Sequence, residues 1–211
     1  MEEIIYYIGV VGTFAFGISG ALVAMNKRLD AFGVVIVAFV TSVGGGTLRD
    51  TLIEGRDVFW IDDPTYIYFI IGGAITAMVF QERLELLRKH LMLFDTIGLG
   101  LFTIAGVQVG LNYNLSYSIC IILGVITGAF GGVSRDILVN EIPYIFHKEI
   151  YATISILGSA IFLVMHYFGF GDGLYQLIPI SIIILLRLLV VSREITLPSL
   201  YTDLKRKKKT E

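Results

Sequence analysis

The sequence predicts an all-α integral membrane protein of seven transmembrane helices. Three observations carry this. Of the 211 residues, 55% are hydrophobic and only 16% are charged, against about 25% charged in an ordinary soluble domain. The mean hydropathy is +0.79. Apolar stretches long enough to cross a bilayer recur along the chain, separated by short polar connections. The same composition excludes disorder, which needs low hydrophobicity and high net charge. A single cysteine, Cys120, excludes an internal disulfide scaffold. A net charge of −2 gives no footing for nucleic acid.

A membrane-crossing helix needs about 20 apolar residues at 1.5 Å each. The candidate spans run from Ile4 to Met25, Phe32 to Ile53, Tyr66 to Phe80 and Leu93 to Leu111, then Tyr117 to Val139, Tyr151 to Phe168 and Leu174 to Val191. Residues 81–92 alternate leucines with charges at helical spacing and read as a linker at the membrane surface. Met1 is followed by Glu2 and Glu3. That is not the basic start of a secretory signal, so the first segment reads as a retained span.

Positive charge sets the expected orientation. Lys27, Arg28, Arg83, Arg88, Lys89 and Lys148 fall on one side with the tail Lys205, Arg206, Lys207, Lys208 and Lys209. The other side receives Arg49, Arg56, Asp57, Asp62, Asp63 and Asp172. The N-terminus is thus expected outside the cell membrane, with the basic tail, residues 193–211, in the cytoplasm.

Shifting the chain by 86 residues aligns it with itself. Gly12, Phe16, Gly20 and Asn26 fall on Gly98, Phe102, Gly106 and Asn112; Thr41 falls on Thr127. Gly45-Gly46 and Arg49-Asp50 fall on Gly131-Gly132 and Arg135-Asp136. Apolar coincidences are cheap in such a sequence, but a matched Gly-Gly-x-x-Arg-Asp is not. Each copy (4–80 and 93–168) holds three spans, an odd number. The copies are therefore expected to be inverted in the membrane, with the stretch 174–192 as an unpaired seventh helix.

Spans two and five each run into glycines and then Arg-Asp. Consecutive glycines weaken a helix by about 1 kcal/mol each relative to Ala, so both helices are expected to be broken there. Broken backbone at membrane depth is tolerated only in protein or against water. A buried Arg costs at least about 2.5–3.5 kcal/mol on insertion scales. Together these features suggest a polar path lined by Thr41, Ser42, Gly44, Gly45, Gly46, Thr47, Arg49 and Asp50, with Thr127, Gly131, Gly132, Ser134, Arg135 and Asp136 from the second copy. The bland alternatives are packing glycines, helix-end charges at the interface and hydroxyls bonded to their own helix. Because neighbouring side chains diverge by about 100° on a helix, each Arg is as able to pair across the repeats as with its own neighbour. Asp95 is placed either in the pore or at the interface, and Gln108 lies deeper in span four. His147 and His166 sit near span ends.

No His or carboxylate cluster has metal-ligand spacing, and Gly44-Gly45-Gly46-Thr47 lacks the Gly-Lys of a phosphate-cradling loop. With no nucleophile–base pair either, neither a cofactor nor enzyme activity is expected.

The duplicated GGGTLRD (Gly44 to Asp50) and FGGVSRD (Phe130 to Asp136), the opening Gly12 to Gly33 and the span count resemble the prokaryotic branch of the trimeric intracellular cation (TRIC) channels, over residues 4 to 192. The resemblance implies a homotrimer with one pore per protomer, lined by spans two and five, and permeation by K⁺ and other monovalent cations such as Na⁺. The same family has carried a glycine-transporter label, which implies the rival, a carrier of a small neutral solute. The sequence departs from the family pattern at Gly9, where an acid is usual and where the second copy has Asp95. It departs again at Phe130, which stands opposite Gly44. The animal members' lipid-holding bases after the triple glycine are not matched by Thr47 and Leu48.

Overall fold

A computed structural model of the chain describes residues 2–80, 91–146, 150–170, 173–193 and 195. The linker at 81–90, the loop residues His147 and Lys148, Asp172 and the basic tail from residue 196 on lie outside the described residues, and so do the expectations placed on them.

The described chain is helical. The α-helices are α1 (Glu2–Asn26), α2 (Ala31–Thr51), α3 (Phe59–Asp62), α4 (Thr65–Val79), α5 (Leu91–Asn112), α6 (Tyr117–Leu138), α7 (Ala152–Tyr167) and α8 (Leu177–Ser192). Short 3₁₀ turns cover Tyr144–Phe146 and Gly173–Gln176. The eighth helix, beyond the seven expected, is α3, a single turn in the loop after α2. Among the described residues, five helical segments are long and apolar enough to cross a membrane: Tyr6–Asn26, Ala31–Thr51, Leu93–Asn112, Tyr117–Leu138 and Gly173–Ser192. The apolar helices α4 and α7 are shorter, at 15 and 16 residues.

Helix ends follow local chemistry. Asp30 caps α2 by accepting from the Gly33 N–H at 2.8 Å, as a short carboxylate at an N-cap does. Asp63 accepts from the Thr65 N–H at 2.9 Å and starts α4. Past the ends of α1 and α6, Arg28 and Asn140 take φ of 58° and 57° and turn the chain away. Across these two turns Lys27 forms an ion pair with Glu141.

The expected breaks in spans two and five are not there. α2 runs without interruption through Gly44–Gly46, and α6 through Gly131–Gly132. The reason is packing. A Cβ on Gly45 would lie 2.2 Å from the Thr127 carbonyl oxygen, and one on Gly131 would lie 2.2 Å from that of Thr41. The glycines let two intact helices touch backbone to backbone, and those contacts offset their weak helix propensity.

These contacts are reciprocal. Thr41 with Gly131 and Gly45 with Thr127 make α2 and α6 antiparallel. In α1 and α5, Gly98 lies against the Phe16 ring and Gly12 against that of Phe102. The two rings stand 5.2 Å apart, so this pair of helices is antiparallel as well. α1 packs on α2, α4 and α5; α5 packs on α1, α6, α7 and α8. The core therefore lies along α1 and α5, with Phe16, Leu99, Ile104 and Phe162 fully buried. Outward faces carry large apolar residues such as Phe32, Tyr68, Val79, Val164 and Leu185.

Candidate functional site: two buried Arg–Asp clusters

The charged residues of the two glycine motifs close two clusters. Arg49 and Asp50 occupy the last turn of α2, and Arg135 and Asp136 that of α6. All four are buried. Each Arg pairs with its own neighbour. The Arg49 Nε donates to Asp50 Oδ1 at 2.8 Å, and the Arg135 Nε donates to Asp136 Oδ1 at 2.8 Å. The second oxygen of each carboxylate then ties down the loop that follows. Asp50 Oδ2 accepts from the Phe59 N–H at 3.0 Å, and Asp136 Oδ2 from the Tyr144 N–H at 3.1 Å. One carboxylate thus satisfies a buried guanidinium and a partly buried peptide donor at once, which is what an ion taken out of water requires.

Beyond this shared plan the clusters differ. The Arg135 Nη1 donates to Asp95 Oδ1 at 2.6 Å and to Ser19 Oγ at 2.8 Å. The Tyr151 hydroxyl donates to Asp95 Oδ2 at 3.1 Å. The guanidinium of Arg187, on α8, stacks 4.9 Å from the centre of the Tyr151 ring. At the other end Asp50 Oδ1 also takes the Arg56 Nε, and Arg49 lies 5.8 Å over the Phe59 ring. Arg56 lies 5.5 Å over Tyr113. Partial burial, the largest single influence, works to lower the Arg56 pKa, but the hydrogen bond that Arg56 donates to the Asp50 carboxylate and the attraction of that charge outweigh it, and the pKa is raised. A cavity of about 70 Å³ opens here between Arg49, Arg56, Gly9, Tyr66 and Ala105.

The hydroxyl residues are mostly committed. Thr41 Oγ1 donates to the Val37 carbonyl at 2.6 Å, and Thr127 Oγ1 to that of Leu123 at 2.6 Å. Both are bonds within their own helix. Ser42 Oγ crosses to the Thr13 carbonyl at 2.9 Å, and Thr47 Oγ1 accepts from the Trp60 indole at 2.9 Å. Ser134 Oγ faces Gly44, 3.2 Å from where its Cβ would stand. Gly46 packs on Phe59, and Gly132 beside Asp95 and Arg135. Thr41, Gly44, Gly45, Thr127, Gly131 and Ser134 thus meet at the α2–α6 crossing, while Ser42 faces α1. Thr47, Gly46, Arg49 and Asp50 gather at one end, and Gly132, Arg135, Asp136 and Asp95 at the other. Elsewhere Gln108 Nε2 donates to Asn112 Oδ1 at 3.2 Å, and the His166 ring lies 6.4 Å from that of Phe162.

Sequence reading missed Ser19, Tyr151 and Arg187. Arg187 carried a usable signal: a lone cation in the apolar run of α8, where insertion is costly. Ser19 and Tyr151 carried none, because a hydroxyl one residue from a glycine or at a helix start looks the same whether or not it meets a charge.

The fold and these clusters define a polytopic helical membrane protein with ion pairs buried among its central helices. The family profile described as Glycine transporter matches residues 6–82 and again 92–167. UPF0126 inner membrane protein YadS of Escherichia coli (strain K12) is 35% identical over 202 residues, covering 95% of this chain and 98% of its own. The TRIC trimeric intracellular cation channel orthologue from Rhodobacter sphaeroides superposes with a TM-score of 0.86 at 33% identity, covering 91% of this chain and 99% of that one. A prokaryotic TRIC channel solved in KCl gives 0.85 at 31% identity, covering 92% and 98%. The chain belongs to the prokaryotic TRIC channel family, the family that also bears the glycine transporter name. It is a membrane protein of a channel class that is not enzymatic.

Proposed function

We propose that the protein is a passive channel for monovalent cations, K⁺ first among them, working as a homotrimer with one path per protomer. The observation that carries this is the likeness to TRIC channels along nearly the whole chain, at a TM-score of 0.86. The path follows the α2–α6 pair, from the Arg49 cluster to the Arg135 cluster, bordered by Thr41, Ser42, Gly44, Gly45, Thr127, Gly131 and Ser134, and the backbone contacts of Gly45 and Gly131 close it in this structure. Asp50, Asp95 and Asp136 offset the arginine charge along it. Residues 4–80 and 93–168 form two inverted three-helix halves, and 174–192 adds the seventh span. The reciprocal antiparallel contacts and the doubled family match support this arrangement. The protein sits in the inner membrane with its N-terminus outside and the basic tail in the cytoplasm, an orientation supported by the lysines and arginines and by the Lys27–Glu141 pair between two loops assigned to one side.

A channel needs a continuous wet path with weak binding. A carrier needs one occluded site and alternating gates. The glycine transporter description of the family favours, as a second reading, a carrier of a small neutral solute such as glycine. Planar-bilayer recording of the purified protein in KCl separates them. Unitary currents are expected; silent bilayers together with saturable uptake of labelled glycine into liposomes overturn the channel reading. Native mass spectrometry in mild detergent tests the trimer.

A further inference from the structure

The two arginine clusters occupy matching positions in the two halves of the chain, 86 residues apart, so each serves as a template for the other. Arg135 Nη1 is held by a carboxylate, Asp95, and by a hydroxyl, Ser19. The residues that match these around Arg49 are Gly9 and Ala105. Neither carries a polar side chain, and both line the 70 Å³ cavity beside Arg49. The Tyr66 hydroxyl points into the same space, 3.0 Å from where a Cβ on Gly9 would stand, much as the Tyr151 hydroxyl meets Asp95. The charge count differs in the same sense. Among the described residues Asp50 is the one carboxylate in ion-pair contact with Arg49 and Arg56. Arg135, by contrast, has both Asp95 and Asp136.

We propose that this cavity binds a small monocarboxylate, formate or acetate in size, whose oxygens take the place beside Arg49 that the Asp95 carboxylate holds beside Arg135. The volume suits it, since a water takes about 30 Å³ of liquid and the cavity is about twice that. A carboxylate is the partner whose planar oxygens match a guanidinium. Asp50 is the one carboxylate set against both Arg49 and the half-buried Arg56, and this local surplus of positive charge gives a small anion its driving force. The Phe59 ring and Ala105 give the site apolar walls. Nothing in this depends on whether the path conducts ions.

The test uses the purified full-length protein in detergent. Sodium formate and sodium acetate are titrated in at constant ionic strength, balanced with sodium chloride. Fluorescence of the single tryptophan, Trp60, and the melting temperature are followed; Trp60 adjoins Phe59 in α3. Saturable changes in both are expected, at lower concentration for the carboxylates than for chloride. Gly9→Asp places a carboxylate in the cavity and should raise the apparent Kd by about tenfold or more, as should Arg56→Gln, which removes the surplus cation. If Gly9→Asp does not fold, Arg56→Gln, at the half-buried end of the cluster, decides alone. No saturable response in the wild type, the same response to chloride at equal concentration, or an unchanged Kd in the folded variants overturns the proposal.

Discussion

The Thr41 carbonyl oxygen lies 2.2 Å from the point where a Cβ on Gly131 would stand, so one hydrogen in place of a methyl group is what lets α2 and α6 cross. Thr127 stands in the same relation to Gly45. The obstacle at both places is backbone, which cannot rotate away. Gly45→Ala and Gly131→Ala should each destabilise the protein by about 1–3 kcal/mol or more, read as a lower melting temperature in detergent. Gly72→Ala, whose nearest outside atom is a Phe14 ring carbon at 3.9 Å, should melt no lower than wild type, since Ala favours the helix interior. If the larger Gly45→Leu and Gly131→Leu still fold and conduct normally, the crossing does not border the path.

Asp50 and Asp136 should not be equivalent. Asp50→Asn removes the carboxylate that Arg49 and Arg56 share and leaves two buried or half-buried cations together. Asp136→Asn leaves Arg135 its bond to Asp95. The cost of stranding a buried charge is about 3–5 kcal/mol, and the Asp50 variant should show it while the Asp136 variant loses less. Under the channel reading, current per folded trimer falls in both. Equal melting temperatures for the two variants would contradict this difference in charge balance.

Asp95 joins three helices, through Arg135 on α6, Tyr151 beside α7 and, by the stack on Tyr151, Arg187 on α8. Tyr151→Phe should cost about 1.5–3 kcal/mol, since it removes a hydrogen bond to a charged group. The loss should vanish in an Asp95→Ala background if the hydroxyl acts through that carboxylate. A double-mutant cycle on melting free energies measures the coupling, and a coupling near zero would place the hydroxyl outside the network.

Lys27 and Glu141 pair on the exposed surface, where such pairs contribute at most about 1 kcal/mol and are screened by salt. Lys27→Ala should barely shift melting at high salt. The pair still serves as a topology marker. With the buried Cys120 as background, Lys27→Cys and Glu141→Cys should react with an impermeant maleimide only from the cytoplasmic face, and Asp57→Cys only from outside. Labelling of all three from one face would remove the assigned orientation.

The sequence by itself determined the membrane class, the helices and the duplication, because hydropathy and a repeated Gly-Gly-x-x-Arg-Asp are local and need no partner to be read. α2 and α6 fall within a few residues of the expected spans. It also located Arg49, Asp50, Arg135, Asp136 and Asp95 as residues too polar for their surroundings. Tertiary structure decided what those residues do with one another. Local propensity argued for helices broken at the glycines, yet backbone contact from the opposing helix keeps them whole, and propensity carries no information about that neighbour. Which carboxylate each arginine meets, and why Arg49 borders a cavity while Arg135 is enclosed, depends on Ser19, Ala105, Gly9 and Asp95. These lie tens of residues away and come together only when α1 and α5 pack against α2 and α6.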